Sequence, residues 1–248
     1  MRFDEHQAAC KPASQNRDVL PWCSSPLFKK SADLLISILL LFFLSPLMLL
    51  IGVAVRLNSP GPIFFVQERY GLNGKVIKVF KFRTMKSDCE DRLGTKQASA
   101  NDPRITGVGT ILRKTSLDEL PQLFNVIRGD MALVGPRPHA LGMRVEGHLN
   151  HEVVPAYFDR YRVKPGMTGL AQINGLRGTA DTADHLLSRF RYDIEYIERQ
   201  SLLFDIQIMA RTAWMLLSVD NLKSERPARS IGEDKLNPRL ISHSPVEQ

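Results

Sequence analysis

From Leu34 to Val55 the chain runs for 22 residues, LLISILLLFFLSPLMLLIGVAV, without one charged side chain. As a continuous helix this segment reaches about 33 Å at ~1.5 Å per residue, enough to cross a hydrocarbon core about 30 Å thick. A helix apolar on every face for this length does not suit the core of a small soluble domain, so the segment is expected in a membrane. The mean hydropathy of all 248 residues, −0.14, conceals it. The segment begins too far from Met1 for a cleaved signal peptide, and no small-x-small cleavage site follows it.

Two features bear on how it sits. Ser45-Pro46 falls in its middle. Proline removes a backbone donor and clashes with the carbonyl four residues back, so a kink or break is expected there. Lys29 and Lys30 precede the segment and Arg56 follows it, so positive-inside pairing asks for the same compartment at both ends. Both features fit a re-entrant helix-break-helix that enters and leaves by one face. A proline-kinked span is the alternative that these residues leave open.

Around this segment the chain divides into a flexible tail over 1–28, the membrane helix over 29–56, a catalytic domain over 57–220 and a second flexible tail over 221–248. After Arg56 the cluster NSPGP marks a turn. Two β-prone runs then flank Asn73-Gly74, a strong hairpin signal. On the second run, alternation puts Phe80 and Phe82 on one face and Lys81 and Arg83 on the other, where both cations are candidates for phosphate binding. Ser87 to Asp102 reads as a mobile loop. Gly107 and Gly109 read as a plain turn rather than a phosphate loop. Thr115 to Ile127 reads as a helix, with Leu120, Leu123, Phe124 and Ile127 at i, i+3, i+4, i+7. MALVGPRP is a short strand into a rigid Pro136-Arg137-Pro138 turn. Val163 to Gly178 reads as loops with short strands. Two amphipathic helices follow, over about 183–199 and 202–219, the second able to lie in the headgroup layer. The fold expected is α+β: a monotopic membrane protein with a re-entrant helix-break-helix, a small β-hairpin region and several helices, some of them interfacial.

Charge narrows the chemistry. Lys and Arg number 33 against 26 Asp and Glu, a surplus of +7. Between Arg56 and Arg137 stand 14 basic and 8 acidic residues, which places six of those seven charges in one stretch. Such a surplus suits a phosphate-bearing substrate, nucleic acid or an acidic membrane surface. Within it lies the pair Asp118-Glu119. Ser116-Leu-Asp-Glu119 fits a capping box, and acids in a first helical turn are favoured by the helix dipole, so capping is what the spacing favours. The surroundings favour chemistry: Arg113 and Lys114 precede the pair, and Arg137 sits in a turn whose prolines fix its backbone. A carboxylate held among arginines stays ionised and can attack phosphorus while the arginines hold phosphate oxygens. Glu119 can bind Mg²⁺, which prefers one or two carboxylates plus substrate phosphates. For Arg137 a structural salt bridge is an equal reading. His148 and His151 are spaced as a metal pair but lack a third ligand. Asp193, with Glu195 and Glu198, reads as a solvated acidic face. Cys10, Cys23 and Cys89 cannot make a disulfide framework and fit a reducing, cytoplasm-facing setting.

The ordered strings KKSADLLIS…LSP, RLNSPGPIFFVQERYGLNGKVIKVFKFRTM, DPRITGVGTILRKTSLDELPQLFNVIRGDMALVGPRP and RVKPGMTGLAQINGLRG, which together run over about 28–218, resemble the bacterial sugar transferases, the monotopic polyprenyl-phosphate phosphoglycosyl transferases. The resemblance implies transfer of a sugar 1-phosphate from a UDP-sugar to undecaprenyl phosphate with release of UMP, a first membrane step of exopolysaccharide or related glycan assembly. It implies Asp118 as the nucleophile of a covalent phosphosugar intermediate and Glu119 as a holder of Mg²⁺. Arg137 and Arg113 would bind phosphate, Asp193, matching a C-terminal aspartate of the family, would join them in binding substrate, and Ser45-Pro46 would be the break of a re-entrant helix. The implied partners are the UDP-sugar, undecaprenyl phosphate, membrane lipids and downstream glycosyltransferases, without nucleic acid. The implied place is the cytoplasmic face of a bacterial inner membrane. The form implied is the minimal one, without the extra N-terminal spans of larger members.

Ala132 stands where the family usually has Ser, and Leu170-Ala171 where relatives often have Trp, which leaves the sugar open. NGLRGTADT is similar to stretches in glucose-1-phosphate-transferring relatives, so UDP-glucose is expected, with UDP-galactose or another UDP-hexose as alternatives. A non-catalytic, membrane-anchored basic binding module is the distant alternative.

Overall fold

One helix, α1 (Pro26–Asn58), carries the whole uncharged segment. In the computed structural model, which describes residues 26–87, 91, 94–95, 102–178, 180 and 182–218, it packs along one stripe. Ile36, Leu41 and Leu44 meet the main core, and Met48, Ile51 and Val55 are buried against Phe82 and Leu112. Those positions recur at helical spacing, so a single face is used from end to end. The other faces stay bare: Phe42 and Phe43 are each 72% exposed and Leu49 70%. Only 17% of its most apolar window is buried, so this is not a core helix. By length and composition it can cross a membrane.

The break expected at Ser45-Pro46 is not a gap in the helix. Pro46 lies inside one 33-residue helical element. Proline cannot donate to the carbonyl four residues back, which is that of Phe42. The Ser45 hydroxyl donates to the Phe42 carbonyl instead, at 2.8 Å. The pair therefore interrupts the backbone ladder and mends it in the same step.

After α1, β1 (Phe64–Tyr70) and β2 (Val76–Phe82) form the expected antiparallel hairpin, with Tyr70 opposite Val76 and Phe64 opposite Phe82. Asn73 and Gly74 both take positive φ, 54° and 72°, and Lys75 N–H closes the turn on Leu72 O at 3.2 Å. That conformation matches the right-handed strand twist, which is why Asn-Gly makes the turn. Gln67, Arg69, Ile77, Val79 and Lys81 share one face, with Val79 fully buried. Phe64 stacks on Phe82 across the other, at a centroid distance of 5.5 Å.

The next stretch corrects two expectations. Gly107 and Gly109 do not form a plain turn: they open α2 (Gly107–Thr115), whose N-cap Thr106 accepts from Gly109 N–H at 3.0 Å. A Cβ on Gly109 would lie 2.1 Å from Thr84 O, so the glycine serves close approach of helix and chain. Nor is Thr115 to Ile127 one helix. Ser116 takes φ 57° and ends α2 as its C-cap; a single 3₁₀ turn covers Leu117–Glu119, and α3 (Gln122–Arg128) starts after Pro121. Ser116 makes no side-chain cap, so the capping box does not form. On α3, Leu123 and Val126 are buried while Phe124 is exposed. Asn125 takes the inner face: its Oδ1 accepts from Phe80 N–H at 3.0 Å and its Nδ2 donates to Lys78 O at 2.6 Å, extending the edge of β2.

β3 (Ala132–Val134) pairs in parallel with β6 (Gly166–Thr168). Between them lie β4 (Arg144–Val145), β5 (His148–Leu149), α4 (Asn150–Val153) and a 3₁₀ segment over Tyr157–Arg162. Leu170–Ile173, expected as loop or strand, is a short helix, α5. Helices stand where two were expected towards the C-terminal end, α6 (Ala183–Arg199) and α7 (Leu202–Leu217). On α7, Leu203, Ile206, Trp214 and Leu217 are exposed. The cysteines, most of both tails and most of the 87–102 loop lie outside the described residues.

Candidate active site

The acidic pair owes its setting to the turn that replaces the expected helix. With Ser116 in the left-handed region, α2 stops and one 3₁₀ turn presents Asp118 and Glu119 side by side. The inner face of the hairpin brings Lys81 to them. The Pro136-Arg137-Pro138 turn brings Arg137 from the far side of the chain. That turn is pinned by the strand pair: Gly166 N–H donates to Pro136 O at 2.9 Å and Gly135 N–H to Thr168 O at 2.9 Å. A Cβ on Gly166 would lie 2.1 Å from Gly135 N, so only glycine lets the two strands close this tightly.

Glu119 is engaged by two cations. Lys81 Nζ donates to its Oε1 at 2.7 Å, Arg137 Nη1 to its Oε2 at 3.0 Å, and Arg137 Nη2 to Oε1. Burial alone would raise this carboxyl, but Arg137 and then Lys81 hold it well below the usual carboxylate range. Glu119 in turn pushes the Arg137 guanidinium up. For Lys81, burial pushes the ammonium down and Glu119 pulls it back.

Asp118 is the opposite case. It is 7% exposed, and among the described residues no hydrogen bond engages its carboxylate. Burial pushes its carboxyl up, Lys81 pulls it down, and the Glu119 charge adds to the rise. Desolvation is the largest of these influences, ahead of the neighbouring cations. A desolvated carboxylate that accepts no hydrogen bond among the described residues, beside a neighbour paired with two cations, is free to act as a nucleophile. Arg113 stands by, its Nε donating to Thr84 Oγ1 at 2.9 Å; burial lowers its guanidinium and Asp118 raises it.

Asp118, Glu119, Lys81, Arg113 and Arg137 thus converge, as the sequence predicts. Two other candidates do not join them. Arg83 lies past the end of β2, where the chain has left the strand face. Its guanidinium donates to Ser59 O at 2.7 Å, Pro60 O at 2.8 Å and Ser87 Oγ at 2.8 Å, capping the carbonyls that follow α1. Asp193 is not on a solvated face and does not reach the dyad. It is 2% exposed and forms an ion pair with Arg160, 2.6 Å apart. Arg160 Nη2 donates to Arg137 O at 2.9 Å, so Asp193 acts on the site at one remove, by holding the residue that holds the Arg137 backbone. Burial pushes Asp193 up, and Arg160 and then Arg189 pull it back. His148 is exposed and His151 packs its ring on Phe158 at 5.6 Å. Among the described residues no group of three His, Cys, Asp or Glu could hold a metal ion by itself.

Sequence reasoning missed Arg69, Arg177 and the buried set behind Arg137. Arg69 donates to Gln67 Oε1 at 2.6 Å and to Pro138 O at 2.6 Å; burial and then Arg137 push it down to about 10. The hairpin register was a usable signal, since it puts Arg69 on the face of Lys81. His139, also buried, is held well below its usual range by burial and Arg160. No local pattern announces it.

Comparison with known proteins agrees with this geometry. Residues 24–219 match the model of the bacterial sugar transferase family. The chain is 48% identical over 198 residues to an undecaprenyl-phosphate glucose phosphotransferase of Komagataeibacter xylinus, covering 80% of this chain and 37% of that protein. It is 48% identical over 188 residues to the UDP-glucose:undecaprenyl-phosphate glucose-1-phosphate transferase of Escherichia coli (strain K12), covering 76% and 40%. It is 47% identical over 184 residues to the exopolysaccharide production protein PSS of Rhizobium leguminosarum bv. phaseoli, covering 74% and 92%. The chain therefore spans about two fifths of the first two relatives and nearly all of the third.

Proposed function

Since the chain belongs to the bacterial sugar transferase family, we propose that it transfers a hexose 1-phosphate from a UDP-sugar to undecaprenyl phosphate, by way of Asp118. The observation that carries this reading is the contrast within the dyad: Glu119 is paired with Lys81 and Arg137, while Asp118 is buried and, among the described residues, accepts no hydrogen bond at its carboxylate. In the first step an Asp118 oxygen attacks the phosphorus that bears the sugar. The bond to the other phosphate of the diphosphate breaks, and UMP leaves with that electron pair. In the second step an oxygen of the lipid phosphate attacks the same phosphorus, the bond to Asp118 breaks, and the carboxylate is restored. Splitting one encounter of two anions into two displacements is what a covalent route offers here. Arg137, Arg113 and Lys81 would hold the phosphate oxygens.

Mg²⁺ belongs to the proposal. Among the described residues Glu119 Oε2 accepts only from Arg137 and keeps a lone pair. One such carboxylate, with Asp118 beside it, fits an ion that takes its other ligands from phosphates and water. Bound, the ion would neutralise the diphosphate.

We read α1 as entering and leaving the membrane by one face, the cytoplasmic face of the inner membrane. What supports this is that both its ends bond to one body: Lys29 Nζ to Asp205 and, at 3.3 Å, to Val134 O near the start, and Arg83 to Val55 O at 3.4 Å near the end. An impermeant thiol reagent outside intact spheroplasts should then label neither Cys23 nor Cys89; labelling of one alone means a true span. The sugar is proposed as glucose, the one named in two of the relatives, with galactose next, and the product would feed downstream glycosyltransferases of exopolysaccharide assembly. The test is UMP release from a panel of UDP-sugars with undecaprenyl phosphate. Release with UDP-glucose is expected, and silence across the panel would defeat the transferase reading.

A further inference from the structure

Five cations feel the dyad: Lys81, Arg69, Arg113 and Arg137 feel both carboxylates, and Arg177 feels Glu119. Four have protein partners. Lys81 and Arg137 bond Glu119, Arg113 bonds Thr84, and Arg69 bonds Gln67 and Pro138 O. Arg177 has none: among the described residues no hydrogen bond or ion pair engages its guanidinium. Burial, and then repulsion from Arg137, pushes that guanidinium down, with Glu119 pulling the other way.

The fold nevertheless holds this segment in place. The β3–β6 pair that pins the Arg137 turn runs through Gly169 directly into α5, and α5 into Asn174–Gly178. Leu176, 1% exposed, anchors the segment in the core, and its N–H donates to Ala171 O at 3.1 Å. On the other side of Arg177, the buried Arg189 donates from Nη2 to Gly178 O at 3.2 Å. Asp193, which pairs with Arg160, also attracts Arg189. One buried carboxylate therefore steadies the two arginines that hold the backbone at Arg137 and next to Arg177.

A half-buried guanidinium kept beside a like charge, with a fixed backbone and no anion bonded to it among the described residues, is costly unless a ligand anion completes it. We infer that Arg177 is a second phosphate-binding residue, which together with Arg137 grips a phosphate group of one of the two substrates. This rests on the transferase reading above and extends it.

The test compares wild type, R177Q and R177K for KM toward UDP-glucose, KM toward undecaprenyl phosphate, kcat and thermal midpoint. Loss of a charge-assisted phosphate contact should raise one KM about tenfold or more, with a smaller fall in kcat and partial recovery in R177K. Whichever KM moves identifies the phosphate. The thermal midpoint of R177Q should hold or rise, because the substitution removes repulsion with Arg137. Both KM values within about twofold of wild type, or a fall in midpoint with kcat and no selective rise in KM, would overturn the inference. Calorimetric titration with UDP-glucose and with detergent-solubilised undecaprenyl phosphate reads the same loss without turnover. A wild type that binds more tightly than R177Q yet releases no UMP would sink the transferase reading and leave this one standing; equal binding by both proteins would sink this one.

Discussion

At the residue scale, the dyad divides its labour through desolvation and pairing. Arg137 and Lys81 hold Glu119 well below the usual carboxylate range, while Asp118 accepts no hydrogen bond among the described residues, which leaves it free for the attack proposed above. This arrangement is costly to the fold. The Asp118 carboxyl is raised above its unfolded value, so its favourable linkage is present only below the unfolded value and is lost as pH rises through the folded one. At neutral pH the ionised group burdens the native state. Asp118→Asn should therefore cut UMP release by about 10³-fold or more while raising the thermal midpoint. Glu119 runs the other way: its lowered carboxyl gives stability above the unfolded value that fades as pH falls through the folded one. Because Lys81 is the largest influence lowering Asp118, Lys81→Met should move the acid limb of the pH–rate profile to higher pH. The identities of both acids were legible in the sequence from their setting among basic residues. Their division was not, since it depends on burial and on partners 18 and 38 positions away.

At the scale of elements, the chain was legible where local chemistry decides. Asn73-Gly74 made its hairpin because both residues tolerate positive φ. The 183–199 and 202–219 helices appeared within two residues of their expected ends. It was misread where tertiary contact overrides propensity. Ser116 at φ 57° splits a helix that the apolar spacing joins, and the close approach of Gly109 to Thr84 O turns a glycine pair into a helix start. Ser45-Pro46 lies between these cases: the proline was rightly singled out, but the serine answers it. Ser45→Ala leaves the Phe42 carbonyl unpaired in apolar surroundings. It should cost about 1–3 kcal/mol, read as a lower thermal midpoint in detergent, with KM for UDP-sugar unchanged. Ser45→Thr, which keeps the hydroxyl, should recover most of it.

At the scale of the molecule, α1 and the Arg137 turn are each tied to distant parts of the chain. Lys29 meets Asp205 across 176 positions. Arg160 joins Arg137, His139 and Asp193 behind the site. A buried arginine gives no periodic signal, so this layer was invisible in the sequence, which offered no sign of the Asp193–Arg160 ion pair. Asp193→Asn strips two buried arginines of their counter-charge. It should cost about 3–5 kcal/mol in stability, measured by denaturant unfolding, and activity should fall with it. A variant with normal stability and only a raised KM would instead return Asp193 to the substrate.

The account turns on Asp118 as the attacking group. Intact-protein mass spectrometry after mixing with UDP-glucose, with no lipid acceptor present, tests this most directly. We predict a mass gain of one hexose phosphate, mapping to the peptide that contains Asp118 and discharged on adding undecaprenyl phosphate. Full turnover with both substrates, but neither adduct nor UMP release without the lipid, would contradict it.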